Sequence, residues 1–274
     1  MVNINNRFIY IFLTCSILTS CSKPQTQDIA NNFGFSKQYI QTKPFKLASY
    51  QNLKQINAPV NIYIEGDGYA WINKTRLSKD PSPNTPTVMQ LAALDPAANV
   101  VYLARPCQYS PQDLTSVCDA KYWSIARYSP TVVSAMDQAI TRIKQQANST
   151  QINLIGYSGG AAIAVLVAAQ RQDIASIRTV AGNLDLIAMQ NYHATTPLSE
   201  SLDPLKVARE IKHIPQLHFI GLKDQVVPAI VAQNFCQAAG IAAQHIIAVP
   251  KVGHSKGWAE HWLSLLEHVP RINV

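Results

Sequence analysis

The sequence lacks the patterns that identify metal-binding and nucleic-acid-binding proteins. Its histidines do not form the His-Glu-x-x-His spacing or a comparable set of metal ligands. Charged residues make up only 14% of the chain, and the Lys and Arg residues behind its formal net charge of +7 are scattered rather than gathered in a basic block. We therefore expect no metal, no cofactor and no nucleic-acid partner. We interpret the positive charge as belonging to basic residues spread over the protein surface, and such a surface suits a position beside anionic lipid.

The N-terminus carries a targeting segment rather than a permanent transmembrane helix. The apolar run of residues 8–18 is too short to span a bilayer. It ends in Leu18-Thr19-Ser20-Cys21, which resembles a bacterial lipobox, where the signal is cut before the cysteine and the cysteine is acylated. We predict a lipoprotein signal peptide at residues 1–20 and lipid attachment at Cys21. A plain secretory signal with an incidental cysteine is the alternative.

The residues that follow the cysteine indicate where the protein is placed. Ser22 is uncharged, which in Gram-negative lipoproteins usually accompanies the outer membrane. Residues 21–44 are polar and rich in Gln, Asn, Thr and Lys, as flexible linkers are. We expect the lipidated cysteine and a tether over 21–44 to hold a folded domain, residues 45–274, in the periplasm at the outer membrane.

The expected export of the protein determines how its remaining cysteines are interpreted. Cys107 and Cys118 lie close together in a loop-like stretch, and an oxidising periplasm favours a disulfide between them. Two free thiols are the alternative. Cys236 lies inside a predicted helix and is most simply a buried core thiol.

The most informative motif is Gly156-Tyr157-Ser158-Gly159-Gly160, which reads Gly-x-Ser-x-Gly. A short strand-like run, residues 151–155, precedes it, and an entirely apolar run, residues 161–169, follows it. Strand, tight turn and buried helix form the context of a nucleophile elbow, which exposes the serine hydroxyl. The N–H of Gly159, at the start of the helix, can stabilise a developing oxyanion.

A serine nucleophile needs a base and an acid, and both have candidates after Ser158. Asp224 and His254 each follow the end of a predicted strand, and the carboxyl ends of parallel strands meet at one rim of a sheet. An imidazole can take the serine proton, and a carboxylate can orient the imidazole. Asp185 is the rival acid and His193 the rival base. Asp224 as a mere helix cap and His254 as a solvated loop residue are the structural alternatives.

With these residues the chain resembles the α/β-hydrolase family over Phe45 to Val274. The motifs that carry the resemblance are 156–160, the segment Gly221-Leu222-Lys223-Asp224-Gln225-Val226-Val227-Pro228, and Val252-Gly253-His254. The resemblance implies that Ser158 is the nucleophile, Asp224 the acid and His254 the base.

A fourth segment, residues 60–68, resembles the strand and oxyanion loop that usually read His-Gly-x-Gly in this family. Glu65 stands here in place of the histidine, and the resemblance implies that the backbone N–H of Asp67 joins that of Gly159 in the oxyanion hole. The Asp67 carboxylate would oppose the negative charge that develops there unless its side chain turns away.

The fold class expected is α/β: a mostly parallel central sheet flanked by helices. Residues 182–204 lie where this family often inserts a lid, but the stretch is too short for a separate lid domain. We therefore expect no large lid and a fairly open site.

The function expected is that of a membrane-anchored periplasmic serine hydrolase that cleaves a small carboxylic ester through an acyl-enzyme. An amidase or aminopeptidase with the same triad is the first alternative, with Glu65 and Asp67 binding a substrate amine. A non-catalytic envelope binding protein on this fold is the second. The sequence leaves the substrate and the oligomeric state open.

Overall fold

The computed structural model describes residues 26–73, 75–110 and 117–272. The strands of this part of the chain are β1 (Ser36–Gln41), β2 (Lys46–Leu53), β3 (Val60–Ile64), β4 (Trp71–Asn73), β5 (Arg76–Leu77), β6 (Asn99–Leu103), β7 (Ile152–Tyr157), β8 (Ile174–Val180), β9 (Gln216–Gly221) and β10 (Ile246–Val249). The helices are α1 (Thr26–Asn32), α2 (Thr87–Leu94), α3 (Pro130–Ala147), α4 (Gly159–Ala168), α5 (Leu186–His193), α6 (Ala229–Ala239) and α7 (Trp258–Leu266).

Eight of these strands form one sheet in the order β1-β2-β6-β3-β7-β8-β9-β10. From β6 to β10 all neighbours pair in parallel, while β2 runs antiparallel to both β1 and β6. Parallel strands covered on both faces must be apolar on both faces, and every residue of β6 is buried. The two faces carry separate cores, one with α3, α4 and α6 and the other with α1, α2 and α7. The predicted mostly parallel sheet flanked by helices is confirmed.

Helix α4 is buried along its whole length. All ten of its residues are buried, which explains why the run after Ser158 carries no polar face. Its small side chains let it pack against β7, β8, β3 and the region of α3. A helix that is apolar on all sides is stable only inside a large core. Because this core is tightly packed, the first residues of α4, next to Ser158, are held in a fixed position.

The flexible tether predicted for residues 21–44 is wrong from Thr26 onwards. Residues 26–32 form α1, whose Ile29 and Ala30 are buried in the same core as α2 and α7. Strand β1 then pairs with β2 along its whole length. The polar composition reflects a short helix that buries one face and an edge strand in which only Ile40 is buried, and such elements need few apolar residues. Residues 21–25, with the lipid attachment predicted at Cys21, and the signal peptide predicted at 1–20 lie outside the described residues.

Cys107 and Cys118 are joined in a disulfide, with their Cα atoms 5.6 Å apart. Cys236 is a free cysteine buried in α6. Burial raises the pKa of its thiol to about 12, so the thiol stays protonated and behaves as an apolar core group.

The segment 182–204 holds only the short helix α5 and a loop, so the described residues contain no large lid, as predicted. Between β3 and α2 the chain makes a small two-stranded hairpin of β4 and β5, outside the main sheet. No helix within the described ranges is long and apolar enough to cross a bilayer.

Candidate active site

Ser158 lies on a strained turn between β7 and α4. Its backbone has φ 50° and ψ −120°, a conformation that residues with a side chain rarely adopt. The flanking glycines are required because the chain segments touch: a Cβ at Gly160 would lie 2.3 Å from the carbonyl oxygen of Ile64, and one at Gly156 would lie 2.5 Å from the Cα of Ala161. The Gly-x-Ser-x-Gly motif therefore has the geometry of a nucleophile elbow.

The structure brings Ser158, His254 and Asp224 together in one hydrogen-bonded row. Nε2 of His254 lies 3.1 Å from Oγ of Ser158, and Nδ1 of His254 lies 2.9 Å from Oδ2 of Asp224. The Asp224 side chain is only 1% exposed. When the Nδ1–H group donates to the buried carboxylate, Nε2 is left free to accept the proton of the serine hydroxyl.

Neighbouring groups hold the acid and the base in place. Oδ1 of Asp224 accepts hydrogen bonds from the backbone N–H groups of Val226 and Val227, at 2.7 and 2.9 Å. The carbonyl oxygen of His254 accepts from the Tyr157 hydroxyl at 3.0 Å and from the Trp258 indole N–H at 2.8 Å. The roles of Tyr157 and Trp258 were not predicted. Tyr157 lies 97 positions from His254 in the sequence, and the contact of Trp258, only four positions from His254, depends on how the loop before α7 folds. The only feature of the sequence that pointed to Tyr157 was its position inside the Gly-x-Ser-x-Gly motif.

The rival acid and base do not join this row. Asp185 is the N-cap of α5: its carboxylate accepts from the N–H of Ala188 at 2.9 Å and from the Asn234 side chain at 2.7 Å. His193 is exposed, and its Nε2 lies 2.7 Å from the carbonyl oxygen of Val226. Of the two candidate acids, Asp185 is therefore the one that caps a helix.

The Asp67 carboxylate, which the sequence analysis placed beside the oxyanion hole, is neutralised by its neighbours. It accepts hydrogen bonds from Arg127 Nη1 at 2.8 Å, Arg105 Nη1 at 3.3 Å and the Tyr128 hydroxyl at 3.0 Å. It also lies against Gly159, since a Cβ there would be 2.1 Å from its Oδ1. Burial by itself would raise the pKa of Asp67, but the charges of Arg127 and Arg105 outweigh burial, and the pKa lies below its ordinary value.

Two guanidinium groups therefore face one carboxylate behind Gly159, and the cluster as a whole is cationic. The two arginines offset the negative charge that Asp67 places beside Gly159. Arg105, Arg127 and Tyr128 were not predicted from the sequence. Arg105 follows the carboxyl end of β6, the strand beside β3, and this position was the available signal.

Glu65 occupies the position of the usual histidine and is turned inwards. It is 2% exposed; its Oε1 accepts from the N–H of Gly66 at 2.9 Å and its Oε2 from the Tyr102 hydroxyl at 2.8 Å. Burial raises the pKa of Glu65 to about 7, against the opposing effects of these hydrogen bonds and of Arg105. Both carboxylates are thus engaged by protein groups, which argues against the alternative in which Glu65 and Asp67 bind a substrate amine.

Comparison with known proteins agrees with this geometry. The model of the family described as Serine hydrolase (FSH1) matches residues 87–251, more than half of the chain. The chain belongs to this serine hydrolase family. The matched region contains Ser158 and Asp224 and ends before His254. No curated protein matches the sequence of this hydrolase.

Solved structures share the fold of the hydrolase at low sequence identity. An esterase from Pyrococcus furiosus is 15% identical, with 86% of this chain and 91% of that chain covered and a TM-score of 0.59. An acylaminoacyl peptidase from Pyrococcus horikoshii is 14% identical, with 84% of this chain but only 40% of that chain covered and a TM-score of 0.58. The hydrolase thus has the α/β-hydrolase fold that the sequence motifs predicted.

Ser158 and His254 of the hydrolase line a cleft of about 970 Å³. Its other walls are largely apolar and include Ile125, Leu186 and Met189. Asn183, also in the wall, donates its backbone N–H to the carbonyl oxygen of Ser158 at 3.0 Å and its side-chain amide to the Tyr128 hydroxyl at 3.1 Å. The cleft is open to solvent along a broad mouth, as expected for a hydrolase without a large lid.

The two acids of the hydrolase can be separated by substitution. We expect Asp224→Asn to lower kcat about 10⁴-fold with a modest change in KM, because an amide favours the wrong tautomer of His254. Asp185→Asn, which keeps a helix-capping oxygen, should cost less than about tenfold. Steady-state ester hydrolysis, after matching thermal unfolding curves, provides the comparison. The opposite ranking would contradict the geometry.

Glu65 makes the stability of the hydrolase depend on pH. Its pKa is higher in the folded protein than in the unfolded chain, so its stabilising effect is complete below about pH 4.5 and is lost as the pH rises through about 7. Relative to Glu65→Gln, the wild-type free energy of unfolding should fall by about 3 kcal/mol across this range. Urea unfolding at pH 4.5, 6 and 8 measures the difference, with Glu260→Gln as the control for loss of a surface charge. A constant difference would refute the shift.

Proposed function

We propose that this chain is an exported, lipid-anchored serine hydrolase that cleaves carboxylic esters through an acyl-enzyme. The observation that carries the catalytic part of the proposal is the contact of Ser158 Oγ with His254 Nε2 at 3.1 Å, on a strained elbow. A strained serine with a base in reach argues against a purely binding protein, which gains nothing from either feature.

The acylation step follows from this arrangement. Ser158 Oγ attacks the ester carbonyl carbon while its proton passes to Nε2 of His254, and the imidazolium is stabilised by the Asp224 carboxylate. The tetrahedral intermediate collapses, the C–O bond to the alcohol breaks, and His254 returns the proton to the leaving oxygen. A water molecule then repeats the sequence on the acyl-enzyme, and this releases the acid and restores Ser158.

The negative charge of the tetrahedral intermediate falls at the start of α4. In the proposal the backbone N–H groups of Gly159 and Asp67 donate to the oxyanion. The surplus positive charge of Arg105 and Arg127 over Asp67 adds electrostatic stabilisation in a site partly shielded from water. Donors held by a buried helix and by a pinned loop need no reorganisation as the charge develops.

Three observations favour an ester over an amide substrate. The carboxylates that would have recognised an amine, those of Glu65 and Asp67, are engaged by protein groups. The cleft walls are largely apolar, which suits an acyl chain. Among proteins of the same fold, the Pyrococcus furiosus protein is named as an esterase.

The proposed location is the periplasmic side of the outer membrane. The lipobox-like end of the apolar run, Leu18-Thr19-Ser20-Cys21, and the uncharged Ser22 support it. The disulfide of Cys107 and Cys118 suits an oxidising compartment.

The nucleophile and the reaction class are tested together. The wild-type chain should be labelled by a fluorophosphonate probe and should hydrolyse short-chain p-nitrophenyl esters faster than aminoacyl p-nitroanilides. Ser158→Ala should abolish labelling and lower kcat by about 10⁴-fold or more, because the attacking oxygen is removed. Ser201→Ala, which removes a serine hydroxyl outside the triad, is the matched control for loss of a hydroxyl. Labelling of Ser158→Ala at the wild-type level would refute the role of Ser158.

Lipid anchoring has its own test. Mass spectrometry of the mature protein from the membrane fraction should find an N-terminal Cys21 that carries acyl chains. Cys21→Ala should be neither acylated nor cut by the lipoprotein route. An unmodified Cys21 in mature membrane-bound protein would overturn the anchor and leave the hydrolase proposal standing.

A further inference from the structure

Large apolar side chains that reach solvent line the cleft or directly adjoin its lining. Four of them line the cleft, and their exposed fractions are 37% for Tyr69, 40% for Trp71, 37% for Ile125 and 43% for Val226. Three more directly neighbour residues of the lining in sequence, and these are Ile72, Ile187 and Tyr192. We call these seven residues the apolar rim. Single exposed apolar residues are ordinary, but a group of them around one opening marks an interaction surface.

The hairpin of β4 and β5 carries two residues of the apolar rim, Trp71 and Ile72. All three residues of β4 are exposed, although two of them are Trp71 and Ile72. The segment from 69 to 79 contains Lys74, Arg76 and Lys79 and no acidic residue. Tryptophan and tyrosine beside basic residues are the combination found where proteins enter the interface of a bilayer with anionic headgroups.

The N-terminus of the described chain is linked to the same rim. Oγ1 of Thr26 lies 2.8 Å from the Tyr109 hydroxyl, and the backbone N–H of Tyr109 donates to Oγ of Ser82 at 2.7 Å. The preceding carbonyl, that of Pro81, accepts from the N–H of Tyr69 at 3.0 Å. A short series of contacts thus joins the first residue of α1 to a residue of the rim.

The position of Thr26 limits how far the rim can be from a lipidated Cys21. Thr26 is five positions after Cys21, and five residue steps of extended chain reach at most about 18 Å. The tether expected from the sequence, which extended to residue 44, would have held the domain well away from the membrane. Because α1 and β1 belong to the fold, the anchor instead holds the domain against the surface.

We propose that the apolar rim docks on a phospholipid bilayer with anionic headgroups, and that the hydrolase takes an acyl ester from that membrane. The docking is inferred from the rim, its basic residues and the place of the N-terminus. The identity of the ester rests on the function proposed above. Trp71 and Ile72 enter the interface, Arg76 and Lys79 meet the headgroups, and the acyl chain passes directly from the bilayer into the apolar cleft.

Tryptophan fluorescence can test the docking, since Trp71 is the exposed tryptophan of the four in the chain. Trp123, Trp258 and Trp262 are buried, with exposed fractions of 8%, 1% and 0%. The full-length protein is mixed with vesicles of phosphatidylglycerol and phosphatidylethanolamine whose acyl chains carry bromine, a contact quencher. Emission should fall in the wild-type protein, and the fall should be at least twofold smaller in Trp71→Phe.

Either of two results overturns the docking. Equal fractional quenching in the wild-type protein and Trp71→Phe would mean that Trp71 does not enter the bilayer. Absence of quenching, with Trp71 emission already shifted to the blue before vesicles are added, would mean that a second copy of the chain covers the rim.

A second experiment tests the source of the substrate. It compares the hydrolysis rate of a long-chain ester embedded in vesicles with that of a soluble short-chain ester. Ile72→Asp should lower the ratio of the two hydrolysis rates at least tenfold, because a carboxylate opposes entry into an anionic surface. Ile56→Asp is the matched control: Ile56 is 70% exposed and precedes β3, at the opposite end of that strand from Glu65. An equal ratio in the two variants overturns the delivery of substrate from the membrane. Failure to hydrolyse any ester would instead refute the proposed function, while the fluorescence result would still decide the docking.

Discussion

The contact between the start of α4 and the carboxyl ends of β3 and β7 is the constraint on which the rest of the site depends. At Gly160 the helix meets the backbone of Ile64 and Glu65 so closely that no side chain fits. This contact forces the turn at Ser158 into its strained conformation, and the burial of all ten residues of α4 supplies the packing that maintains the strain. The same contact sets the oxyanion loop beside the serine.

A second constraint is electrostatic. Burying Asp67 and Glu65 next to the proposed oxyanion hole is costly unless each is compensated. The structure compensates them differently. Asp67 is ionised and paired with two arginines, whereas burial moves the pKa of Glu65 to about 7, where it can hold a proton near neutral pH. Each arrangement limits the negative charge near the oxyanion, and each also pins the loop that follows β3.

The geometry of the N-terminus connects the catalytic site to the proposed membrane surface. Helix α1 and strand β1 are integral to the sheet and its helical cover, so the chain enters the fold close to the loops that border the cleft. A cleft with an apolar rim beside the proposed point of attachment suits an acyl ester held in lipid. For such an enzyme the absence of a large lid is not a disadvantage, because the bilayer itself would exclude water from the mouth.

The part of the site that could be predicted from the sequence is the part encoded in local patterns. The Gly-x-Ser-x-Gly motif lies between a strand and an apolar helix, and Asp224 and His254 each follow a strand. Chain order and strand ends were therefore enough to predict that Ser158, Asp224 and His254 lie at one edge of the sheet. The alternation of strands and helices likewise predicted the parallel sheet. These features depend on neighbours in sequence and on the general rule that parallel strands share a carboxyl edge.

Other features depended on contacts between distant segments, and only the tertiary structure decided them. Asp67 meets Arg105 and Arg127, and Tyr157 meets the carbonyl oxygen of His254, across separations that no local pattern encodes. Of the two candidate acids, Asp224 is the one whose carboxylate contacts His254, while Asp185 caps α5. The polar stretch before residue 45 was misread as a tether because composition records the average polarity of a segment. Whether such a segment folds depends on its contacts with the rest of the chain: α1 buries one face, and β1 pairs with β2, against parts of the chain that come later in the sequence.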